Sequence, residues 1–414
     1  MNLYDYLERQ TASFDEVPLG PVDSAALSQF CMVRADGVAP GVRVRAQEGP
    51  LAHPALDGLA DRWHALTTRP ARFADFLDVR RFEGAFTGLD PTRVKQELAL
   101  LVANPRFRDL QIRDHADVFD AQDHVQFAAT AFVWRREWAY VGFRGTDQSF
   151  VGWREDFDMA DRPPVPAQRM AVEYLDAVAR HLPRRLYVGG HSKGGNLATY
   201  AALRCAPEVR ARIERVFDHD GPGFKRGFVG AGEFDLLAGR IDRTVPEESV
   251  VGQLMRTPAP TRVVACEGDA HGLEQHSVFT WRVRDDLLDF ECADGLDQGY
   301  VLTGQVLNEW IESLDEDELP RVTEELFALL QTSGAADVNE LLAGDAGALG
   351  RLVELASRMD DDAREVLVPA LTSLAAIAAR TAGREAGRGV RRAFAARERE
   401  RGREGKRGRD TDRG

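Results

Sequence analysis

Residues 186–202 read LYVGGHSKGGNLATYAA, a serine framed by glycines between an apolar run and an alanine-rich helical pattern. Gly190-His191-Ser192-Lys193-Gly194 fits the G-x-S-x-G spacing, and a strand before it with a helix after it is the context in which that spacing carries chemistry. Strand must become helix within about two residues, so the serine takes a strained backbone and side chains at the flanking positions would clash. Such a corner lifts the Ser192 hydroxyl above a sheet. It also turns the N–H of Lys193 toward the same point, with the partial positive charge of a helix N-terminus beneath a developing oxyanion. The chemistry this suits is attack on an acyl carbon.

Acyl transfer needs a second oxyanion donor, a base and an acid that orients the base. The apolar run WAYVGF (138–143) ends before Gly145-Thr146-Asp147, and the N–H of Thr146, joined by its hydroxyl, is the candidate donor. Three histidines follow Ser192. His276, in LEQHSVFTW, is the preferred base; His271, in GDAHG, is second; His219 is expected to pack or to point outward. For the acid, Asp220 closes VFDHD before a Gly-Pro-Gly turn and is preferred, with Asp242 and Asp269 as alternatives. The His191 side chain is expected to turn from the hydroxyl into the packing around the elbow, and that of Lys193 to run outward over its helix. The spacings call for neither metal nor cofactor.

These groups need a frame. VQFAATAFVW (125–134) and WAYVGF, separated by RRE, predict a β-hairpin. RRLYVGG, RVFDHDGPG (215–223), TRVVACE (261–267) and FTWRV (279–283) predict further strands. Helices are expected at 23–33, 91–107, 166–182 and 196–205. Strands alternating with helices imply an α/β fold, a mostly parallel sheet flanked by helices. From about Tyr300 the pattern turns helical, with a capping box at Ser313 and Glu316. The expected organisation is a body at 1–300, a helical region at 301–379 and a charged, disordered tail at 380–414.

The 414 residues carry a formal charge of −14. The last 35 hold 13 Lys/Arg against 6 Asp/Glu, a net of +7, which leaves −21 on the rest. An acidic body repels phosphate and argues against nucleic acid as a partner. The tail offers at most a weak contact with an anionic membrane surface, and a solubilising role is preferred. Four cysteines without metal-type spacing are expected as buried free thiols and fit a reducing cytosol. MNLYDYLERQ has no secretory pattern, so a cytoplasmic location is expected. The apolar run Val366–Ala379 is shorter than the roughly 20 residues of a membrane span.

Taken together, FRGTDQSFVGWREDFDM and GGHSKGGNLATYAA resemble the lipase class 3 pattern. With DSAALSQF, VPAQ, DGPGF, VPEESVVGQLM and QHSVFTW, across roughly residues 3–330, the chain resembles a bacterial family with a lipase-like α/β-hydrolase domain. The resemblance implies that fold with Ser192 as nucleophile, supports His276 as base and raises Thr146 as an oxyanion-hole residue. It leaves the acid open. Class 3 lipases carry theirs in an Asp-x-Val-Pro turn, whereas DRTVP has one more residue between Asp242 and Val245, a departure that favours Asp220. Residues 151–168 lie where class 3 lipases carry a lid, and Glu155, Asp156 and Asp158 either line its entrance or satisfy turn and helix N–H groups. The expected activity is hydrolysis of a carboxylic ester, small-molecule or lipid, through a Ser-His-Asp triad and an acyl-enzyme. An acyltransferase or thioesterase with the same nucleophile, and a non-catalytic scaffold, are the alternatives. Oligomeric state is not legible in the sequence.

Overall fold

The computed structural model describes residues 1–42, 67–87, 90–147, 150–315, 317–332 and 359–384. Seven strands form one sheet in sequential order: β1 Gln111–Asp120, β2 Val125–Trp134, β3 Trp138–Phe143, β4 Arg185–His191, β5 Ile213–His219, β6 Ile241–Pro246 and β7 Thr261–Val264. The first three pair antiparallel, and β3 through β7 run parallel. Helices α1 Leu3–Arg9, α2 Pro21–Phe30 and α3 Pro91–Ala103 precede the sheet. Helices α4 Phe150–Asp161 and α5 Pro166–Ala179 join β3 to β4, and α6 Lys193–Arg204 joins β4 to β5. In an in-order parallel sheet, right-handed crossovers place the connecting helices on one face.

The strand alternation divides the core accordingly. Ala139, Val141 and Phe143 of β3, Leu186 and Val188 of β4 and Val216 of β5 pack with Tyr174 of α5 and Leu197 of α6. Trp138, Tyr140, Tyr187 and Phe217, from the same strands, face the opposite way, with Phe30 of α2 and Leu98 of α3. Two buried polar groups tie α2 across that second face: Ser24 Oγ lies 2.9 Å from Tyr140 Oη and 3.0 Å from His219 Nε2.

The hairpin, strands β4, β5 and β7 and the helices at 21–30 and 91–103 match the periodicities. Several elements differ. Strand β1 has no counterpart in the sequence reading, and β6 lies where a turn was expected. FTWRV is not a regular strand: Val278–Thr280 form a 3-10 turn, and Trp281 and Val283 make isolated bridges. Helix α6 begins at Lys193, three residues earlier than the pattern suggested. Of the four free cysteines, Cys31, Cys205 and Cys266 are buried, but Cys292 is exposed.

Beyond the sheet lie α7 Gln298–Ser313, α8 Glu318–Thr332 and α9 Asp361–Arg384. Trp310, Val322, Leu367, Leu371 and Ile377 form a separate apolar cluster among them. Ser313 does not cap α8. Its hydroxyl donates to Trp310 O, and Asp315 accepts from the Glu318 N–H instead. Glu316 lies outside the described residues, as do 385–414 of the tail and 333–358 of the helical region. The apolar run at 366–379 sits inside a 24-residue helix that is, by length and composition alone, long enough to cross a membrane.

Candidate active site

The parallel register aligns the C-terminal ends of β3 to β6. Phe143 lies opposite Gly190, His191 opposite His219, and His219 opposite Thr244. Loops leaving these ends share one rim of the sheet, where open α/β sheets place their ligands.

Ser192 stands at the corner between β4 and α6 with φ 59° and ψ −132°. A left-handed serine is uncommon and persists only where its surroundings hold it. Its N–H donates to His219 O at 2.9 Å, and its carbonyl accepts from the Gly195 N–H at 2.8 Å. The flanking glycines are required by contact. A Cβ on Gly190 would strike the Gly194 carbonyl, and one on Gly194 would strike Phe143 O. The β3 loop also passes beside the serine, since a Cβ on Gly145 would lie 3.4 Å from Ser192 Cβ. Thr146 therefore comes next to the elbow. Its hydroxyl donates to Asp156 Oδ2 on α4.

His276 is buried in a 3-10 turn at Gly272–His276. Its Nδ1 lies 2.7 Å from Asp220 Oδ2, whose side chain is fully buried. Asp220 has φ 53°, a left-handed conformation that short Asx side chains tolerate. Its other oxygen accepts from Ser249 Oγ at 2.6 Å and from the Gly252 N–H at 3.2 Å. The carboxylate is thus held from two sides, and it in turn fixes the imidazole. His191 brings this pair to the elbow. Its Nε2 donates to His276 O at 2.7 Å, and the two rings lie 4.5 Å apart between centroids. Burial, with His276 close by, holds the His191 pKa well below the usual histidine range, so His191 is neutral.

The other sequence candidates lie elsewhere. Asp242 is the second residue of β6, toward its far end, and accepts from Arg262 at 2.8 Å. Asp269 is exposed. His271 is largely exposed and lies 3.3 Å from Glu248. His219 is buried between Thr244 Oγ1 and Ser24 Oγ, and burial drives its pKa down to about 3. It packs, as one of its two expected roles had it.

One group departs from the sequence reading, and one of its carboxylate candidates finds a partner the reading did not name. The Lys193 side chain does not run outward. It is fully buried, and its Nζ donates to Gln126 O, Gln126 Oε1 and Glu155 Oε2 at 2.9, 2.6 and 3.0 Å. Helix α4 folds over it, and a buried ammonium needs such partners. Asp156 is held up to about 6 chiefly by burial, eased by Lys193 and the Thr146 hydroxyl. Its Oδ1 is buried without a hydrogen-bond partner. The sequence signal for both is the set of carboxylates Glu155, Asp156 and Asp158 in residues 151–168. Helix α4 takes up the first part of residues 151–168. Glu155 satisfies N–H groups there, accepting from Gln126 and Ala167. The Trp153 side chain lies outside the described residues.

Among the described residues, Asp36, His115 and Asp117 bring metal-ligand-type atoms within 4.8 Å of one another. Both Asp117 oxygens accept from Arg144, at 2.7 and 3.1 Å, and a guanidinium there disfavours a divalent cation.

A sequential, mostly parallel sheet with a left-handed serine at the β4–α6 corner defines a lipase-like α/β-hydrolase fold. Within that class the chain belongs to the Mbeg1-like family, whose model matches residues 101–328. Among solved structures, it is similar to the Rhizomucor miehei lipase in its propeptide complex. The identity is 18%, over 38% of this chain and 57% of that one, with a TM-score of 0.28. It is also similar to M37 lipase, with 11% identity over 45% of this chain and 81% of that one and a TM-score of 0.32. The chain therefore spans little more than half of the Rhizomucor miehei lipase chain. Comparison with curated proteins finds no match.

Proposed function

We propose that this chain is a serine hydrolase that cleaves carboxylic esters. Ser192 attacks the acyl carbon. His276 takes the serine proton on Nε2 and returns it to the leaving alcohol, and Asp220 holds His276 in the required tautomer. The N–H groups of Lys193 and Thr146 receive the oxyanion. Water then attacks the acyl-enzyme, with His276 again as base. No step calls on a metal or cofactor.

The observation that carries this reading is the Asp220–His276 hydrogen bond of 2.7 Å on a loop joined to the elbow through His191. A structural histidine needs no buried carboxylate on Nδ1, and a carboxylate that also holds Ser249 and Gly252 is oriented more firmly than packing demands.

Labelling with a fluorophosphonate probe tests it. Wild type is expected to label, Ser192→Ala not at all, and His276→Ala at least 100-fold more slowly. Folded wild type that stays unlabelled, with and without detergent, overturns the reading.

A further inference from the structure

The residue after the serine has a side chain the reaction does not require. Lys193 reaches under α4 and spends all three ammonium protons on Gln126 and Glu155. Neither Lys193 nor Glu155 exposes any side-chain surface. Glu155 in turn joins four elements. Its Oε2 accepts from Lys193 of α6 and from the Gln126 N–H of β2, and its Oε1 accepts from the Ala167 N–H at 3.0 Å, in the first turn of α5. Gln126 extends the network, its amide donating to Gly145 O at 3.4 Å in the loop that carries Thr146. One buried ion pair thus reaches both loops that border Ser192.

Resting on the reading of Ser192 as nucleophile, we propose that Lys193 and Glu155 are positioning residues that bolt α4 to the elbow. A buried pair of this kind resists separation, because each partner would leave the other as an uncompensated buried charge. A lid that opens at a lipid surface would have to break it. Helix α4 is instead a fixed wall, and it holds the Lys193 N–H in place before substrate arrives. A site of this kind works on soluble esters without a lid-opening step at an interface. The pair acts through the backbone of Lys193, so its loss falls on the transition state and spares ground-state binding.

The full chain is assayed on p-nitrophenyl butyrate, alone and with phosphatidylcholine vesicles, and by hydrogen exchange of α4. Wild type is expected to keep its rate within twofold when vesicles are added, with α4 protected as well as α6. Glu155→Gln and Lys193→Met each leave one buried charge and can fail to fold. The double variant Glu155→Gln/Lys193→Met leaves none and carries the test. It is expected to lose at least tenfold in kcat with KM within twofold, and to exchange α4 amides at least tenfold faster while the sheet is unchanged. A double variant with wild-type kcat overturns the proposal, as does a wild type that vesicles activate several-fold or whose α4 is unprotected. Fluorophosphonate labelling of wild type separates the two claims. If it fails while α4 is protected, the nucleophile reading falls with the positioning role, and the bolt remains as a structural link only.

Discussion

Replacing Asp220 by asparagine is the sharpest perturbation of the site, because it changes charge and donor pattern with almost no change in shape. Both residues accept the positive φ found here. In wild type one carboxylate oxygen faces His276 Nδ1, and the other accepts from Ser249 Oγ and the Gly252 N–H. An amide must choose. With its oxygen toward Ser249 and Gly252, its NH2 meets Nδ1, and the imidazole proton moves to Nε2. That nitrogen can then no longer take a proton from Ser192. The reverse orientation keeps the right tautomer but sets the NH2 against the Gly252 N–H, a donor that cannot turn. An unsatisfied buried donor costs about 1–3 kcal/mol, so the productive orientation is the minority. The remaining fraction also lacks the negative charge that stabilises the imidazolium. Together these predict a 10³- to 10⁴-fold loss of kcat, or about 4–5.5 kcal/mol at 1.36 kcal/mol per decade. The assay is the rate of fluorophosphonate labelling and kcat on a soluble ester, beside thermal unfolding. A variant that unfolds as wild type does and stays within tenfold of its rate would refute the assignment of the acid.

Three further outcomes follow from the same geometry. Asp156 has a carboxyl raised to about 6 by burial, so the folded chain binds that proton more tightly than the unfolded chain does. Stability from this group therefore falls as pH rises from about 4 to about 6 and is level above that. A shift of about two units bounds the effect near 3 kcal/mol, less for a residue that is only partly buried. Asp156→Asn should gain on wild type in thermal midpoint between pH 4 and pH 8, and an equal difference at both pH values would count against it. Gly194→Ala drives a Cβ into Phe143 O, where backbone must give way. A cost of about 1–3 kcal/mol should lower the midpoint by roughly 1–4 °C in a chain of this length and slow labelling, and an unchanged midpoint speaks against the contact. His191→Phe keeps a ring against His276 but removes the donor to its carbonyl. Labelling should slow by about tenfold, with the shape of its pH profile unchanged, since burial holds the His191 pKa well below the usual histidine range.

What could be read from the sequence is what local pattern dictates. Strands β2 to β4 announce themselves because both faces are largely buried and most of their residues are apolar. Strand β1 does not, because it is an edge: QIRDHADVFD alternates poorly, bends at Asp114 with φ 55° and shifts register between Arg113 and Ala116. The elbow was legible since its spacing and the Gly190–Gly194 contact are local, although Gly194 also answers to Phe143 O on a distant strand. Lys193 was not, because its direction is set by Glu155, 38 residues away on a helix that folds over it. Sequence carries the type of such a residue but not the partner that buries it.

The carboxylate at His276 shows the same limit from the other side. IDRTVP contains an aspartate close before Val-Pro, but the segment is strand β6 and Asp242 is its second residue. At about 3.3 Å per residue, Asp242 lies some 13 Å from the strand's C-terminal end, where the site forms. The extra residue between Asp242 and Val245 also matters, since shifting by one along a strand turns a side chain to the other face. Asp242 instead meets Arg262, and its ion pair spans β6 and β7 far from the elbow. Asp220 needs no such reach. It follows the last residue of β5, and its N–H donates to Thr244 O at 2.7 Å, so the neighbouring strand fixes its height above the sheet. The loop after β6 then supplies Ser249 and Gly252 to hold the carboxylate. Strand β6 thus contributes to this site through the loop that follows it, while the carboxylate comes from the strand beside it.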